Sequence, residues 1–111
     1  MKKYIELKNN GSATHLKIEL YYNLGGYNVF TYKEEKRGYY LSVSPVTRER
    51  SSGCTMESYT AFSGIKQIIK PVNRKSAKAE AAAETEAAAK EADLIRYVCE
   101  KNGLEVNNAE L

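Results

Sequence analysis

The sequence predicts an α+β fold in which an antiparallel meander of four to five strands precedes one long C-terminal helix. Residues 3–62 alternate apolar and polar side chains at period two and are rich in Tyr, Val, Ile and Thr, which is typical of half-buried strands. The loops between these runs are short, and short loops favour antiparallel pairing because parallel strands need longer crossovers. Residues 77–101 are dense in Ala, Glu and Lys and contain neither Gly nor Pro, which indicates a helix.

The chain length leaves room for one hydrophobic core. The 111 residues are 42% hydrophobic and 28% charged, a composition within the globular range. We therefore predict a single domain over residues 1–104, with the sheet at about 3–62, a helical region at about 64–102 and a disordered tail over residues 105–111.

The first two strands are predicted at about residues 3–8 and 14–22, joined by a turn at 9–12. The sequence of that turn, Asn-Asn-Gly-Ser, tolerates positive φ angles. Alternation places one apolar set on the inner face of the sheet: Ile5, Leu7, Leu16, Ile18, Leu20 and Tyr22. The opposite face carries Tyr4, His15, Lys17, Glu19 and Tyr21.

Three further strands are predicted at about residues 27–33, 39–47 and 55–62. The third strand closes at a charged, solvated turn over residues 33–38. The fourth places Tyr39, Leu41 and Val43 inward. Pro45 cannot donate to a sheet ladder, so we expect this end of the fourth strand at an edge or a bulge.

The sequence of segment 64–70 is compatible with two secondary structures. Its isoleucines continue a helical spacing to Val72, which predicts a short helix ended by Pro71, with a last strand as the alternative. The long helix then begins after an N-cap at Asn73 or Ser76 and ends at Asn102-Gly103-Leu104, with Gly103 in the left-handed conformation. Its C-terminal third, which includes Leu94 and Val98, is the expected anchor. Its alanine-rich middle either crosses the sheet at close range or projects into solvent or toward a second protomer.

The sequence disfavours a membrane protein and an enzyme. No run approaches the ~20 apolar residues of a membrane span and no signal peptide follows the first lysines, so we predict a cytoplasmic protein. Cys54 and Cys99 are read as free thiols. His15 is the one histidine, and no spacing predicts a Cys54–His15 pair with a third orienting group, so a cysteine-dependent enzyme is the least favoured hypothesis. No phosphate loop, dinucleotide fingerprint or zinc spacing is present, and we expect no cofactor.

Positive charge is concentrated in the first part of the chain. Residues 1–78 carry 14 of the 17 Lys and Arg but 6 of the 14 Asp and Glu, whereas residues 79–111 carry 3 and 8. If the segment that carries them is helical throughout, four basic residues spaced four apart form a stripe on one broad face: Lys66, Lys70, Arg74 and Lys78. Lys75 lies beside this basic stripe. Cations at a helix N-terminus oppose the macrodipole, so they indicate an anionic partner, either nucleic acid or an acidic protein surface. The alternative is a solvated surface balanced by the acidic half of the same molecule or of a homodimer mate.

Tyrosines form the second candidate feature. Alternation directs Tyr32 and Tyr40 to the face opposite the aliphatic set, interleaved with cations that include Lys36 and, next to it, Arg37. Exposed aromatic rings among cations form a platform on which unpaired bases stack, or the centre of a protein interface. The alternative is that the helix or a dimer mate covers this face, which would make the tyrosines part of the core.

Three phrases carry a resemblance to known proteins: residues 26–32 (GYNVFTY), 37–43 (RGYYLSV) and 70–76 (KPVNRKS). They resemble phrases in small uncharacterised proteins of bacterial phages and conjugative elements. The resemblance implies an inhibitor of host defence, or an accessory factor, that binds a host protein. In architecture alone, the predicted fold is similar to PC4-like single-stranded-DNA-binding proteins, which use the sheet for nucleic acid and the helix to dimerise. The leading hypothesis is a non-enzymatic, single-stranded-DNA-binding module.

Overall fold

The computed structural model describes residues 1–8 and 13–107. These residues form an antiparallel sheet and one long helix, which confirms the predicted fold class. The strands are β1 (Lys2–Glu6), β2 (His15–Asn23), β3 (Gly26–Asn28), β4 (Lys33–Glu35), β5 (Gly38–Ser51), β6 (Cys54–Tyr59) and β7 (Ile65–Pro71), and the helix α1 is Ala77–Asn102. The predicted turn at 9–12 lies outside the described residues.

The long strand β5 organises the main sheet. One edge of β5 pairs with β2, which in turn pairs with β1. The other edge is shared, because β7 pairs with residues 38–43 and β6 pairs with residues 46–51. Pro45 therefore lies in a central strand, contrary to the predicted edge or bulge. It is tolerated there because the ladder on that side changes partner between Val43 and Val46.

The inner face of the sheet forms the hydrophobic core. As predicted from the alternation, β2 and β5 bury Leu16, Ile18, Leu41 and Val43 completely. Tyr39 belongs to the same hydrophobic cluster, and α1 packs against this cluster. The opposite face, called the outer face below, carries the polar members of the same strands.

Local sequence determines both ends of α1. Ser76 is the N-cap, with its Oγ accepting a hydrogen bond from the Ala79 amide at 3.0 Å. Gly103 ends the helix at φ 68°, and Leu104 folds back onto the core, as predicted. Within the described chain, no helix combines the length and the hydrophobicity needed to cross a membrane.

The middle of α1 crosses the sheet at close range, which decides between the predicted alternatives. Ala83 and Ala87 are buried in the core together with Leu94 and Val98. Ion pairs join the helix to the sheet on both sides: Lys3 to Glu91 at 2.8 Å and Lys70 to Glu86 at 4.0 Å. Because alanine is small, the helix backbone approaches the sheet closely, and the helix does not project into solvent.

The predicted third strand at 27–33 is wrong. Residues 26–35 form a separate two-stranded hairpin, β3–β4, which contains the residues assigned to that strand and part of the predicted charged turn. The cause is Asn28, whose Oδ1 accepts hydrogen bonds from the amides of Phe30 at 2.9 Å and Thr31 at 3.2 Å. This side chain closes a turn, and Tyr32 completes it at φ 58°.

The predicted short helix at 64–70 is also wrong, and the alternative of a last strand is confirmed. The segment forms β7 because β5 offers a free edge for it and because its three isoleucines favour strands. A bulge opposite Tyr39 and Tyr40 shifts the register. The bulge buries Ile69 in the core and directs Lys66 and Lys70 to opposite faces of the sheet.

The chain after the helix differs from the predicted disordered tail. Val106 forms a bridge with Leu7, and the Lys8 amide donates to the Glu105 carbonyl at 2.8 Å. The outer edge of β1 orders this segment by supplying backbone hydrogen-bond partners. Residues 108–111 of the predicted tail lie outside the described residues.

We expect Val98→Ala to lower the free energy of unfolding by about 2 kcal/mol, because it removes two buried methyl groups and leaves a cavity. Ala88→Ser on the exposed face of the same helix should cost less than about 0.5 kcal/mol. Ala87→Ser, one residue away but buried, should cost more than Ala88→Ser because it buries a hydroxyl. Equal costs for the two serine variants in urea titrations would contradict the close helix–sheet packing.

Candidate functional site

Basic residues gather at the end of the sheet where β2 and β7 finish and β5 starts. Asn23, Gly38 and Pro71 are side by side in the register there. The loops that follow are tied together by Arg37, whose Nε donates to the Leu24 carbonyl at 2.8 Å and whose guanidinium also reaches the Asn73 carbonyl at 3.4 Å. We call the cations of these loops and of the first helical turn the basic end: Lys36, Arg37, Arg74, Lys75 and Lys78.

Gly38 makes this gathering possible. A Cβ atom at this position would lie 2.4 Å from the Lys70 carbonyl oxygen, and the φ angle of +154° is one that other residues rarely adopt. The missing side chain lets β5 approach the end of β7 closely. As a result, Lys36 and Arg37 lie next to the loop that carries Arg74 and Lys75.

Within the part of the chain that the structure describes, most charges of the basic end have no acidic partner. Among the described residues, no carboxylate lies within 4.0 Å of Lys36, Arg74, Lys75 or Lys78. Lys75 contacts instead the ring of Tyr22, at 6.0 Å from its centroid. Three of these cations adjoin the N-terminus of α1, where the macrodipole disfavours positive charge and favours an anion. The arrangement therefore suits a ligand with several negative charges.

The structure divides the predicted basic stripe. Arg74, Lys75 and Lys78 stay together in the basic end, because the loop and the first helical turn are contiguous. Lys66 lies on the outer face in an ion pair with Glu35, and Lys70 lies on the helix side near Glu86. The stripe depended on a continuous helix from residue 64, and β7 removes that condition.

The β3–β4 hairpin exposes large apolar side chains beside the basic end. Phe30 is 90% exposed and Tyr32 is 79% exposed, and Tyr27 and Val29 are also exposed. The turn around Asn28 presents these side chains on the tip of the hairpin, away from the core. We call residues 26–35 the aromatic hairpin. Its exposed rings make no contribution to the core, so they indicate a surface for a partner.

Tyr40, the second predicted stacking residue, is only 6% exposed. Its hydroxyl donates to the Lys36 carbonyl at 2.7 Å, and its ring stacks on Tyr21 with centroids 5.9 Å apart. Burial raises the pKa of Tyr21 to about 12, so both hydroxyls remain protonated at neutral pH. Tyr40 holds the Lys36 backbone in place and offers no free ring to a base.

A groove of about 570 Å³ separates the aromatic hairpin from β7. Its lining includes Lys33, Lys36, Lys66 and the edge of Tyr40. Glu35 fixes the hairpin across this groove by accepting hydrogen bonds from Lys66 and from Asn28 Nδ2. The hydrogen bond from Lys66 holds the pKa of Glu35 below its ordinary value, so the Glu35 carboxylate is ionised at neutral pH. The contact between Lys66 and Glu35 is therefore an ion pair.

A second charged cluster lies on the outer face around Glu57 of β6. Tyr4 donates its hydroxyl proton to Glu57 Oε1, and Lys17 Nζ donates to Oε2 at 3.0 Å. Arg48 stacks on the Tyr4 ring, 3.8 Å from its centroid. The Tyr4 hydrogen bond, followed by that of Lys17, lowers the pKa of Glu57. In this cluster one carboxylate is shared by Lys17 and Arg48, and the cluster fastens β6 to β1 and β2.

The Glu57 cluster predicts a pH-dependent stability. The folded-state pKa is below the ordinary value of 4.5, so the stabilisation is present above about pH 4.5 and is lost as the pH falls through the folded-state pKa. We expect Tyr4→Phe, which keeps the ring under Arg48, to lower the free energy of unfolding at pH 7. This deficit should shrink toward pH 3 in urea titrations. A deficit that stays constant with pH would contradict the role assigned to the Tyr4 hydroxyl.

The candidate Cys/His pair is not assembled. His15 is paired with Val46 of β5, and Cys54 is paired with Ser51 of the same strand. Because these two partners are five residues apart, His15 and Cys54 are separated by about 17 Å along the strand direction. The His15 Nδ1 atom contacts the neighbouring Thr14 hydroxyl at 2.7 Å. In the described part of the chain, no three His, Cys, Asp or Glu side chains are grouped as metal ligands would be.

Comparison with known proteins gives no match: neither a protein family, nor a curated protein, nor a solved structure is similar to the chain. The resemblance to mobile-element proteins and to PC4-like proteins therefore stays a prediction. The candidate functional surface consists of the aromatic hairpin, the basic end and the groove between the hairpin and β7.

Proposed function

We propose that the protein binds single-stranded nucleic acid through the aromatic hairpin and the basic end. The observation that carries this proposal is the exposure of the Phe30 and Tyr32 rings, both more than three-quarters exposed, on a hairpin whose groove is lined by Lys33 and Lys36. No ion pair of these two lysines is found among the described residues. Aromatic side chains stack on unpaired bases of any sequence, and Lys and Arg neutralise the backbone phosphates.

A single strand fits this surface better than a duplex does. The exposed rings are on the tip of a narrow hairpin, where they reach the faces of splayed bases, and the faces of paired bases are covered by their neighbours in the stack. The groove with Lys33, Lys36 and Lys66 adjoins the hairpin and supplies a path for the phosphates.

The test of this proposal is the salt dependence of binding to a labelled single-stranded oligonucleotide. With four to five phosphate contacts at about −0.7 each, the slope of log affinity against log salt should be roughly −3. Fluorescence anisotropy between low and moderate salt measures it. A slope near zero, or no binding at low salt, would overturn the proposal.

The second candidate function is binding to a host protein, as an inhibitor or an accessory factor. One observation favours it: Leu24, just before the hairpin, and Val29, next to Phe30, are exposed, and exposed aliphatic side chains mark protein interfaces but cannot stack on bases as rings do. An acidic protein surface would suit the basic end. Saturable binding of the protein to host protein, together with no nucleic-acid binding, would favour this alternative.

The proposal requires neither catalysis nor a cofactor. A cytoplasmic location and a homodimer are compatible with it and stay predictions. In contrast to the predicted platform on the whole outer face, the proposed surface is the aromatic hairpin with its neighbouring groove, because Tyr40 is buried and the Glu57 cluster is internally paired.

A further inference from the structure

A carboxylate, a hydroxyl and an ammonium group follow one another across the outer face. Glu19 of β2 pairs with Ser42 of β5, and Ser42 pairs with Lys66 of β7. Neighbouring positions in such a row lie about 5 Å apart on the same face. The row is at the base of a groove of about 430 Å³, which is also lined by Tyr21, Ser44 and Tyr59.

This groove continues the groove beside the aromatic hairpin. Lys66 lines both of them, and the stacked pair of Tyr21 and Tyr40 connects one to the other. A strand that leaves the hairpin along Lys33, Lys36 and Lys66 therefore enters the groove above Ser42. The next nucleotide along this path meets Glu19.

Glu19 places a carboxylate on this path. Glu35 and Glu57, on the same side of the sheet, are paired with lysines, whereas Glu34, which lines the groove beside the hairpin, has no ion pair among the described residues. Lys2 of β1 is the cross-strand neighbour of Glu19, but no ion pair of Glu19 is found within the described residues. An unpaired carboxylate repels a polyanion unless the ligand brings a hydrogen-bond donor to it. The donor that a nucleic-acid backbone can bring is the ribose 2′-hydroxyl.

We infer that the strand is RNA and that Glu19 accepts a hydrogen bond from a ribose 2′-hydroxyl, while Lys66 contacts the adjoining phosphate. Ser42 lies between them, and its Oγ makes only a long hydrogen bond of 3.5 Å to the Glu19 carbonyl, so it is available to donate to the same ribose. This inference rests on the proposed function and adds the class of nucleic acid. The sugar–phosphate backbone of DNA has no hydroxyl to donate to Glu19 and therefore keeps the repulsion.

The test compares three oligonucleotides of one sequence: RNA, DNA and RNA carrying 2′-O-methyl groups throughout. RNA should bind roughly tenfold more tightly than the other two, which is the contribution of one hydrogen bond to a charged group. Glu19→Gln should tighten DNA binding, weaken RNA binding and bring the ratio close to one. Glu49→Gln is the matched control, because Glu49 is an exposed carboxylate of β5 outside both grooves, and it should leave the ratio unchanged.

Each outcome decides the inference. Equal affinity for RNA and DNA overturns it and leaves the proposed function standing, whereas no binding to any of the three overturns both. An unchanged ratio in Glu19→Gln also overturns it, as does the same change of ratio in Glu49→Gln. Tight binding of the 2′-O-methyl strand would show that the hydroxyl proton is not recognised and would overturn the assignment to Glu19.

Discussion

Replacing Phe30 and Tyr32 together by alanine is expected to weaken single-strand binding at least ~30-fold. Base–aromatic stacking contributes about 1 to 3 kcal/mol per base, and two rings are lost. Both side chains are exposed, so the double variant should unfold at the same urea concentration as the wild type. Anisotropy titrations at fixed salt measure the loss, and the slope against salt should stay unchanged because the phosphate contacts remain.

The matched control for the ring deletions is Tyr97→Ala. Tyr97 is an exposed tyrosine on α1 with Lys101 beside its ring, so it resembles the hairpin rings in chemistry but lies on the helix. Its removal should leave affinity within a factor of two of the wild type. If Tyr97→Ala weakens binding as strongly as the hairpin variant does, the aromatic hairpin is not the stacking surface.

Reversing Arg74 and Lys75 together to glutamate should have the second large effect. Two phosphate contacts disappear, so the salt slope should flatten by about 1.4 and the affinity should fall more than ~100-fold at low salt. Folding should not suffer, because acidic residues before a helix N-terminus interact favourably with the macrodipole. Lower affinity combined with equal or higher stability would separate a binding role from a structural one.

Lys90→Glu with Arg50→Glu provides the charge-matched control for that reversal. Both side chains belong to exposed residues, away from the basic end, and neither has an ion pair within the described chain. The net charge changes by the same amount in the two double variants. An equal loss of affinity in both would mean that overall charge, and not the basic end, attracts the strand.

Much of the fold follows from local sequence. Alternation assigned Leu16, Ile18, Leu41 and Val43 to the inner face, because a strand with one buried face permits a single register. The ends of α1 follow from two residues. The Ser76 side chain accepts a hydrogen bond from a free amide at the start of the helix, and Gly103 adopts the left-handed conformation in which its own amide donates to the Cys99 carbonyl at the end. These features depend on a few neighbouring residues, so a sequence pattern can predict them.

The wrong secondary-structure predictions concern segments whose structure is determined by pairing with distant strands. Residues 27–33 have a strand composition, but both edges of β5 are taken by β2, β6 and β7, and Asn28 turns the chain into a hairpin. The segment 64–70 has a helical spacing, yet its pairing with residues 38–43 of β5 makes it a strand. No local pattern reveals which sheet edge is open, because that depends on residues far away in the sequence.

The candidate site was predictable in part. Its cations, including Lys36, Arg37, Arg74 and Lys75, are apparent from charge, but their gathering depends on Gly38 and on the end of β7. The burial of Tyr40 depends on its stack with Tyr21 across two strands. The row of Glu19, Ser42 and Lys66 has no sequence signal, since only the register of three strands brings these residues together.

The central claim is that the protein binds unpaired bases, and competition at low salt tests it most directly. A labelled single strand bound to the wild-type protein is challenged with unlabelled single strand or with duplex of the same sequence. The duplex should compete at least tenfold more weakly, because its paired bases cannot stack on Phe30 and Tyr32. Equal competition by the duplex, or no binding of the single strand, would contradict the account.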